Sequence, residues 1–173
     1  MIRWASAADA EGMARVHVAS WEGTYRGLMP DEVIDRLTVD MRTTGWSQRL
    51  SDPAPDTAAF VAEHAGELVG LSFVGPTRDD DLDADRVGEV FAIYVSPDHW
   101  GHGHGQGLIV RSLDWLRGAG FSAAMLWVLD TNEIGRGFYE RGGWRLDEAS
   151  KLDESFGAPL REIRYRIGLP KSA

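Results

Sequence analysis

Residues Phe91–Leu116 read FAIYVSPDHWGHGHGQGLIVRSLDWL. An apolar run ends at Val95 and Pro97 turns the chain. Glycines then alternate at 101, 103, 105 and 107, and Ile109, Leu113 and Leu116 follow at helical spacing. Glycine lets backbone N–H groups approach a ligand with no Cβ in the way. A helix N-terminus adds unpaired N–H donors and a partial positive charge. A buried strand, a glycine loop and a helix start together form an anion cradle, typically for phosphate. Flexibility alone does not account for four alternating glycines in that setting.

The spacing excludes two common phosphate loops. For G-x-G-x-x-G, counting from Gly101 puts Gln106 at the last position, and counting from Gly103 puts Leu108 there. A P-loop needs G-K-[ST], and the only lysines are Lys151 and Lys171. His102 and His104 form H-x-H, but no carboxylate or third histidine lies at ligand spacing, so no metal is expected.

Working outward, Val87–Val95 (VGEVFAIYV) is apolar on both faces toward its end and reads as a central strand. Ala59–Glu63 and Glu67–Val74 flank HAG as a hairpin, and Thr77–Asp85 is an acidic loop. Upstream, Ile2–Trp4 opens as a short strand. Ser6 and Asp9 resemble a capping box for a helix from Ala7 to Glu22. Asp31–Leu37 and Val39–Leu50 are further helical pieces, the second capped by Thr38. Downstream come a helix over Leu108–Arg117, a strand over Ala123–Leu129, a helix ending near Arg141, and strands near Arg145–Glu148 and Leu160–Ile167. The order predicts an α/β (α+β) fold in one domain over residues 1–173.

The 173 residues include no cysteine, which excludes disulfides, thiolate metal sites and a cysteine nucleophile. The net charge of −9, without a basic patch, argues against nucleic acid and is compatible with a cationic small-molecule acceptor. No signal-like apolar segment and no membrane-length run occur, so a cytoplasmic protein without a membrane partner is expected. Composition does not fix the oligomeric state; a homodimer is the commonest soluble assembly.

Trp100, Gly103 and Gly105 fall on the Q/R-x-x-G-x-G/A positions of the GNAT acetyltransferases, and GEVFAIYVSP resembles that family's fourth strand. LDTNEIGRGFYERGGWR is similar to its N-x-x-A-x-x-FYEKLGF segment, and SWEGTYRGLMPDEV to the first helix and loop of one bacterial group. The resemblance covers nearly the whole chain. It implies a mixed, mostly antiparallel sheet of six to seven strands flanked by about four helices. It also implies transfer of acetyl from acetyl-CoA to an amine. Trp100 departs from the usual Gln or Arg, and Gly135 stands where the family often has alanine, which predicts a looser helix start.

The resemblance further implies site residues. Glu89 matches the frequent general base, and on an apolar strand desolvation should raise its proton affinity. Tyr139 matches the acid that protonates the departing thiolate. Ile93, Tyr94 and Val95 would offer backbone groups to the thioester and pantetheine. Gly101, His102, Gly103, His104, Gly105 and Gln106 would hold the pyrophosphate, and Asn132 would reach the pantetheine region or cap a helix. Trp21 and Tyr25, one helical turn apart, are either an aromatic acceptor site or core packing. Glu63, His17 and His64 are alternative bases. Rival readings are a non-catalytic acyl-CoA-binding domain, a transferase of larger acyl groups, and a toxin acting on aminoacyl-tRNA. The last is opposed by the charge.

Overall fold

The computed structural model describes residues 1–154 and 159–170; Lys171 lies outside them. Seven strands form one sheet: β1 (Ile2–Trp4), β2 (Ala58–His64), β3 (Glu67–Pro76), β4 (Val87–Val95), β5 (Ala123–Leu129), β6 (Arg145–Asp153) and β7 (Leu160–Gly168). Their spatial order is β1-β2-β3-β4-β5-β7-β6. Only β4 and β5 run parallel. A parallel pair needs a crossover, and the helix α4 (His104–Gly118) supplies it. The β2–β3 hairpin closes on Ala65 and Gly66, both at positive φ (50° and 86°), as a two-residue primed turn requires.

Helices cover both faces. On one, α1 (Ala10–Tyr25), α2 (Asp31–Asp35) and α3 (Val39–Ser51) sit over the sheet, with Met13, Ala14, Val16 and Trp46 packed on Val61 and Leu71. On the other, α4 and α5 (Glu133–Arg141) pack Leu108, Leu116 and Phe138 against Phe60, Val90, Leu126 and Tyr165. Gly88 sits under α4, where a Cβ would lie 2.5 Å from Leu116. This contact sets how closely the crossover helix approaches β4.

The predicted mixed, mostly antiparallel sheet is present, with five α-helices among the described residues rather than about four. Several boundaries move. Ser6 and Asp9 do pair, Ser6 N–H donating to the Asp9 carboxylate at 2.7 Å, but Ala7–Asp9 is a 3₁₀ turn. α1 then runs through Tyr25, which is helical rather than the start of the loop. Thr38 caps α3 as expected, accepting from Met41 N–H at 3.2 Å. α4 begins at His104, four residues before the expected Leu108, so three of its first-turn residues are Gly105, Gln106 and Gly107. β6 extends to Asp153, not Glu148.

Candidate active site

The site is a fork in the sheet. β4 pairs with β5 only from Val87↔Ala123 to Glu89↔Met125; beyond that the two strands part. The cause lies in the register with β3. Phe73 faces Ala92 while Val74 faces Val90, so Phe91 is an extra residue in β4. Such a bulge bends its strand and increases its twist. Ser96 N–H bonds Val69 O at 2.9 Å. Alternation then turns the backbone groups of Tyr94 and Ala92 toward β3, and those of Ile93 and Val95 into the fork. The Val95 carbonyl is already taken, accepting from the Trp100 indole N–H at 2.8 Å. The expectation that Ile93, Tyr94 and Val95 all offer free backbone is therefore corrected. Ile93 offers both groups, Val95 offers its N–H, and Tyr94 contributes its side chain.

The fork opens into a cavity of about 450 Å³ whose far end is the glycine loop. Gly101 and Gly103 adopt positive φ (78° and 82°), with open space where a Cβ would point. Gly103 caps α4 in the left-handed conformation, a task suited to glycine. The first amide returned to the helix is that of Gly107, bonded to Gly103 O at 2.9 Å. The amides of His104, Gly105 and Gln106 precede it, and these residues line the cavity. Unpaired donors at a helix start suit an anion. Trp100, in place of Gln or Arg, gives no charge there; it ties the loop to the end of β4.

Tyr139 also lines this cavity, among Phe138, Trp144 and Tyr165. Burial pushes its hydroxyl well above the usual phenol range, so it stays protonated. Asn132 is buried (6% exposed). Its Oδ1 accepts from Gly135 N–H at 2.9 Å. A Cβ on Gly135 would lie 2.7 Å from Asn132 Nδ2. Glycine there makes room for the cap rather than merely loosening the helix. Tyr25 lines the cavity, whereas Trp21 is buried behind it with Met29, Ile34 and Leu129. The Trp21 ring meets the Tyr25 ring edge-on, with centroids 5.0 Å apart.

Glu89 sits at the point where the fork closes, and its side chain is 4% exposed. It is not surrounded by apolar groups alone. Arg78 grips it with Nη2 at 2.7 Å and with its backbone N–H at 3.0 Å, while the guanidinium lies over Phe91 at 4.4 Å. Sequence reading missed Arg78, because an arginine in an acidic loop carries no local sign of a partner eleven positions away. The alternative bases stand elsewhere. Glu63 is ion-paired to Arg3 at 2.6 Å. His17 lies under Tyr94 and Trp46 with neither ring nitrogen bonded, and burial holds it neutral, lowered to about 3. His64 joins His99, His102 and His104 behind the glycine loop, with neighbouring ring centroids 5.4–6.4 Å apart. His99 lies three residues before His102, whereas His64 joins from β2 only through tertiary folding, which the H-x-H pattern does not announce. Among the described residues no group of three or more histidine, aspartate and glutamate side chains is placed to hold a metal ion. No helix among them is long and apolar enough to cross a membrane.

Comparison with known proteins agrees with this geometry. The uncharacterised N-acetyltransferase YuaI of Bacillus subtilis is 30% identical over 132 residues, 76% of this chain and 72% of its own. A probable N-acetyltransferase of Mycobacterium tuberculosis is 27% identical over 167 residues, 96% of this chain and 92% of that one. Among solved structures, the PaiA N-acetyltransferase of Thermoplasma acidophilum in complex with coenzyme A superposes with a TM-score of 0.74, covering 97% of this chain and 98% of that one. At 20% identity this likeness concerns the fold. The sequence pattern of the Acetyltransferase (GNAT) family matches residues 21–144. A glycine cradle at the start of a crossover helix, beside a sheet forked between its two parallel strands, stands within that matched stretch, and the chain belongs to the GNAT family of acetyltransferases, whose co-substrate is acetyl-CoA.

Proposed function

We propose that this protein transfers acetyl directly to a primary amine of a small molecule or a protein N-terminus, with both substrates held in the fork at once. The observation that carries the reading is the parting of β4 from β5 beside the glycine cradle. It leaves the Ile93 and Val95 amides unpaired at a fixed distance along the chain from an anion site. Bound acetyl-CoA supplies an electrophilic thioester carbonyl and a thiolate leaving group.

The chain's own groups then divide the work. Gly101, His102, Gly103, His104, Gly105 and Gln106 hold the pyrophosphate through backbone donors. The Ile93 or Val95 N–H faces the carbonyl oxygen and stabilises charge developing there. Glu89 removes the amine's proton. Its burial and its grip by Arg78 favour a relay through water over direct contact. Tyr139 acts at the sulfur. Its raised proton affinity makes complete transfer to a thiolate, near ~8.5 for a free thiol, uphill, so it donates a hydrogen bond to the developing charge. Tyr25 stands in the same cavity lining as Asn132, at the acceptor end, with Trp21 as its backing.

Calorimetric titration with acetyl-CoA, with NAD as a control, tests the reading. Selective binding of acetyl-CoA is expected, lost in Gly103→Val. Failure of the unaltered protein to bind any acyl-CoA refutes it. Tyr139→Phe should lower the rate of thiol release by ~10–100-fold, the worth of one hydrogen bond to a charged group, at unchanged acetyl-CoA affinity. An unchanged rate removes Tyr139 from the mechanism.

A further inference from the structure

On the face of the sheet covered by α1–α3, the carboxylates around Trp127 are held by arginines. Glu89 is bound by Arg78 at 2.7 Å; Asp79 and Asp81 are bound by Arg164 at 2.9 and 2.8 Å. Glu162 differs. It stands on β7 opposite Leu129 of β5 and Lys151 of β6. Its side chain is 21% exposed, and its ion-pair partner among the described residues is Lys151 Nζ at 3.3 Å. That same Nζ lies 4.3 Å from the centroid of the Trp127 ring. The ring is held at its edge, where the indole N–H donates to the Asp79 carboxylate at 3.1 Å.

An alkylammonium ion thus rests between an aromatic face and a carboxylate, the two groups that together recognise such cations. Trp127 lines the cavity of the fork. Tyr25 and Tyr94, which line it too, lie within the field of Glu162. Lys151 reaches the site from an edge strand, with its side chain 44% exposed, so withdrawing it uncovers no core. Burial raises the proton affinity of the Glu162 carboxyl and Lys151 opposes this, which marks a carboxylate that is stabilised by a cation.

We propose that the Trp127–Glu162 pair is a docking site for a protonated nitrogen of the acceptor, and that Lys151 occupies it when the acceptor is absent. The acceptor class is then a di- or polyamine. One nitrogen stays charged against Trp127 and Glu162 while another, unprotonated, is presented at the fork. This rests on the transferase reading, but its test does not, because amine binding is measured without acetyl-CoA.

The experiment is a calorimetric titration of 1,4-diaminobutane into the apo protein, into Glu162→Gln, Glu162→Asp and Lys151→Met, with 1-butanol as the uncharged control. Glu162→Gln should weaken diamine binding at least tenfold, Glu162→Asp should retain most of it, and Lys151→Met should tighten it several-fold by removing the competing ammonium. Acetyl-CoA affinity should be the same in all four proteins. Equal diamine affinity in Glu162→Gln and the parent overturns the proposal. So does weaker or unchanged binding in Lys151→Met, saturable binding in neither the parent nor Lys151→Met, or a parallel loss of acetyl-CoA binding in Glu162→Gln.

Discussion

Replacing Gly135 by alanine should destabilise the protein, although helix propensity alone says the opposite. Gly135 is the third residue of α5, and alanine in a helix interior is favoured over glycine by ~1 kcal/mol. A Cβ there would stand 2.7 Å from Asn132 Nδ2, 3.1 Å from its Cγ and 3.3 Å from its Oδ1. The Asn132 side chain is short, buried and tied by its cap bond, so it must leave its place rather than bend aside. Leaving breaks the cap on Gly135 N–H, worth ~1 kcal/mol. It also forces a buried side chain into packed surroundings, and such overpacking costs ~1–3 kcal/mol. The net expectation is a loss of ~1–3 kcal/mol, or ~2–12 °C in Tm for a chain of this size.

The decisive assay is a double-mutant cycle by urea unfolding with Asn132→Ala. In the Asn132→Ala background nothing obstructs the new methyl group, and Gly135→Ala should stabilise by ~1 kcal/mol. The same substitution thus changes sign with the presence of one neighbour. A stabilising Gly135→Ala in the parent chain, or equal effects in both backgrounds, would refute the reasoning. It would then follow that Asn132 is held far more loosely than its burial and its cap bond imply.

Stability should fall below neutral pH because of His17. Its folded value, lowered to about 3 by burial, lies below the unfolded ~6.5, so the unfolded state binds the proton first. Its contribution is complete above pH 6.5 and declines at ~1.4 kcal/mol per unit as pH falls toward the folded value, ~2 kcal/mol by pH 5. Urea unfolding at pH 7.5 and pH 5 should show this slope, and His17→Leu should flatten it; an unchanged slope would assign the loss to other groups. Trp100→Phe keeps the ring but deletes the N–H that holds the Val95 carbonyl, so acetyl-CoA affinity should drop by ~5-fold, about 1 kcal/mol, in calorimetry. Unchanged affinity would mean that the loop keeps its place without that bond.

The parts of this protein legible in its sequence are those fixed by local backbone chemistry. Alternating glycines after a buried strand announce the cradle because positive φ and a bare Cα are properties of single residues, as at Gly101 and Gly103. Thr38 and Asn132 announce caps because a cap reaches only three residues forward. The start of α4 was misplaced by the same logic. Glycines read as loop residues, yet Gly105 and Gly107 lie inside the helix, where a Cβ would stand 3.5 Å from Phe138 and a tighter 3.2 Å from Ile2. A close approach by residues far along the chain outweighs local propensity there, and no window of sequence contains both partners.

The chemistry of the fork depends on register, and register is what a single sequence conceals. One extra residue at Phe91 decides that Ile93 and Val95, rather than Tyr94, turn their backbone toward the cleft. The same bulge lies between Glu89, which remains where β4 still pairs with β5, and Tyr94, which lies where the strands have parted. The carboxylate that matches the family's base is therefore enclosed by Arg78 and Phe91, while the tyrosine five residues on faces the open cavity. Losing the bulge would exchange which backbone groups are free without altering any site residue. The sequence motif can thus survive in a chain whose fork no longer aligns with its cradle, and the register of β3 on β4 is the structural feature to check first when a related chain carries the glycines but shows no transfer.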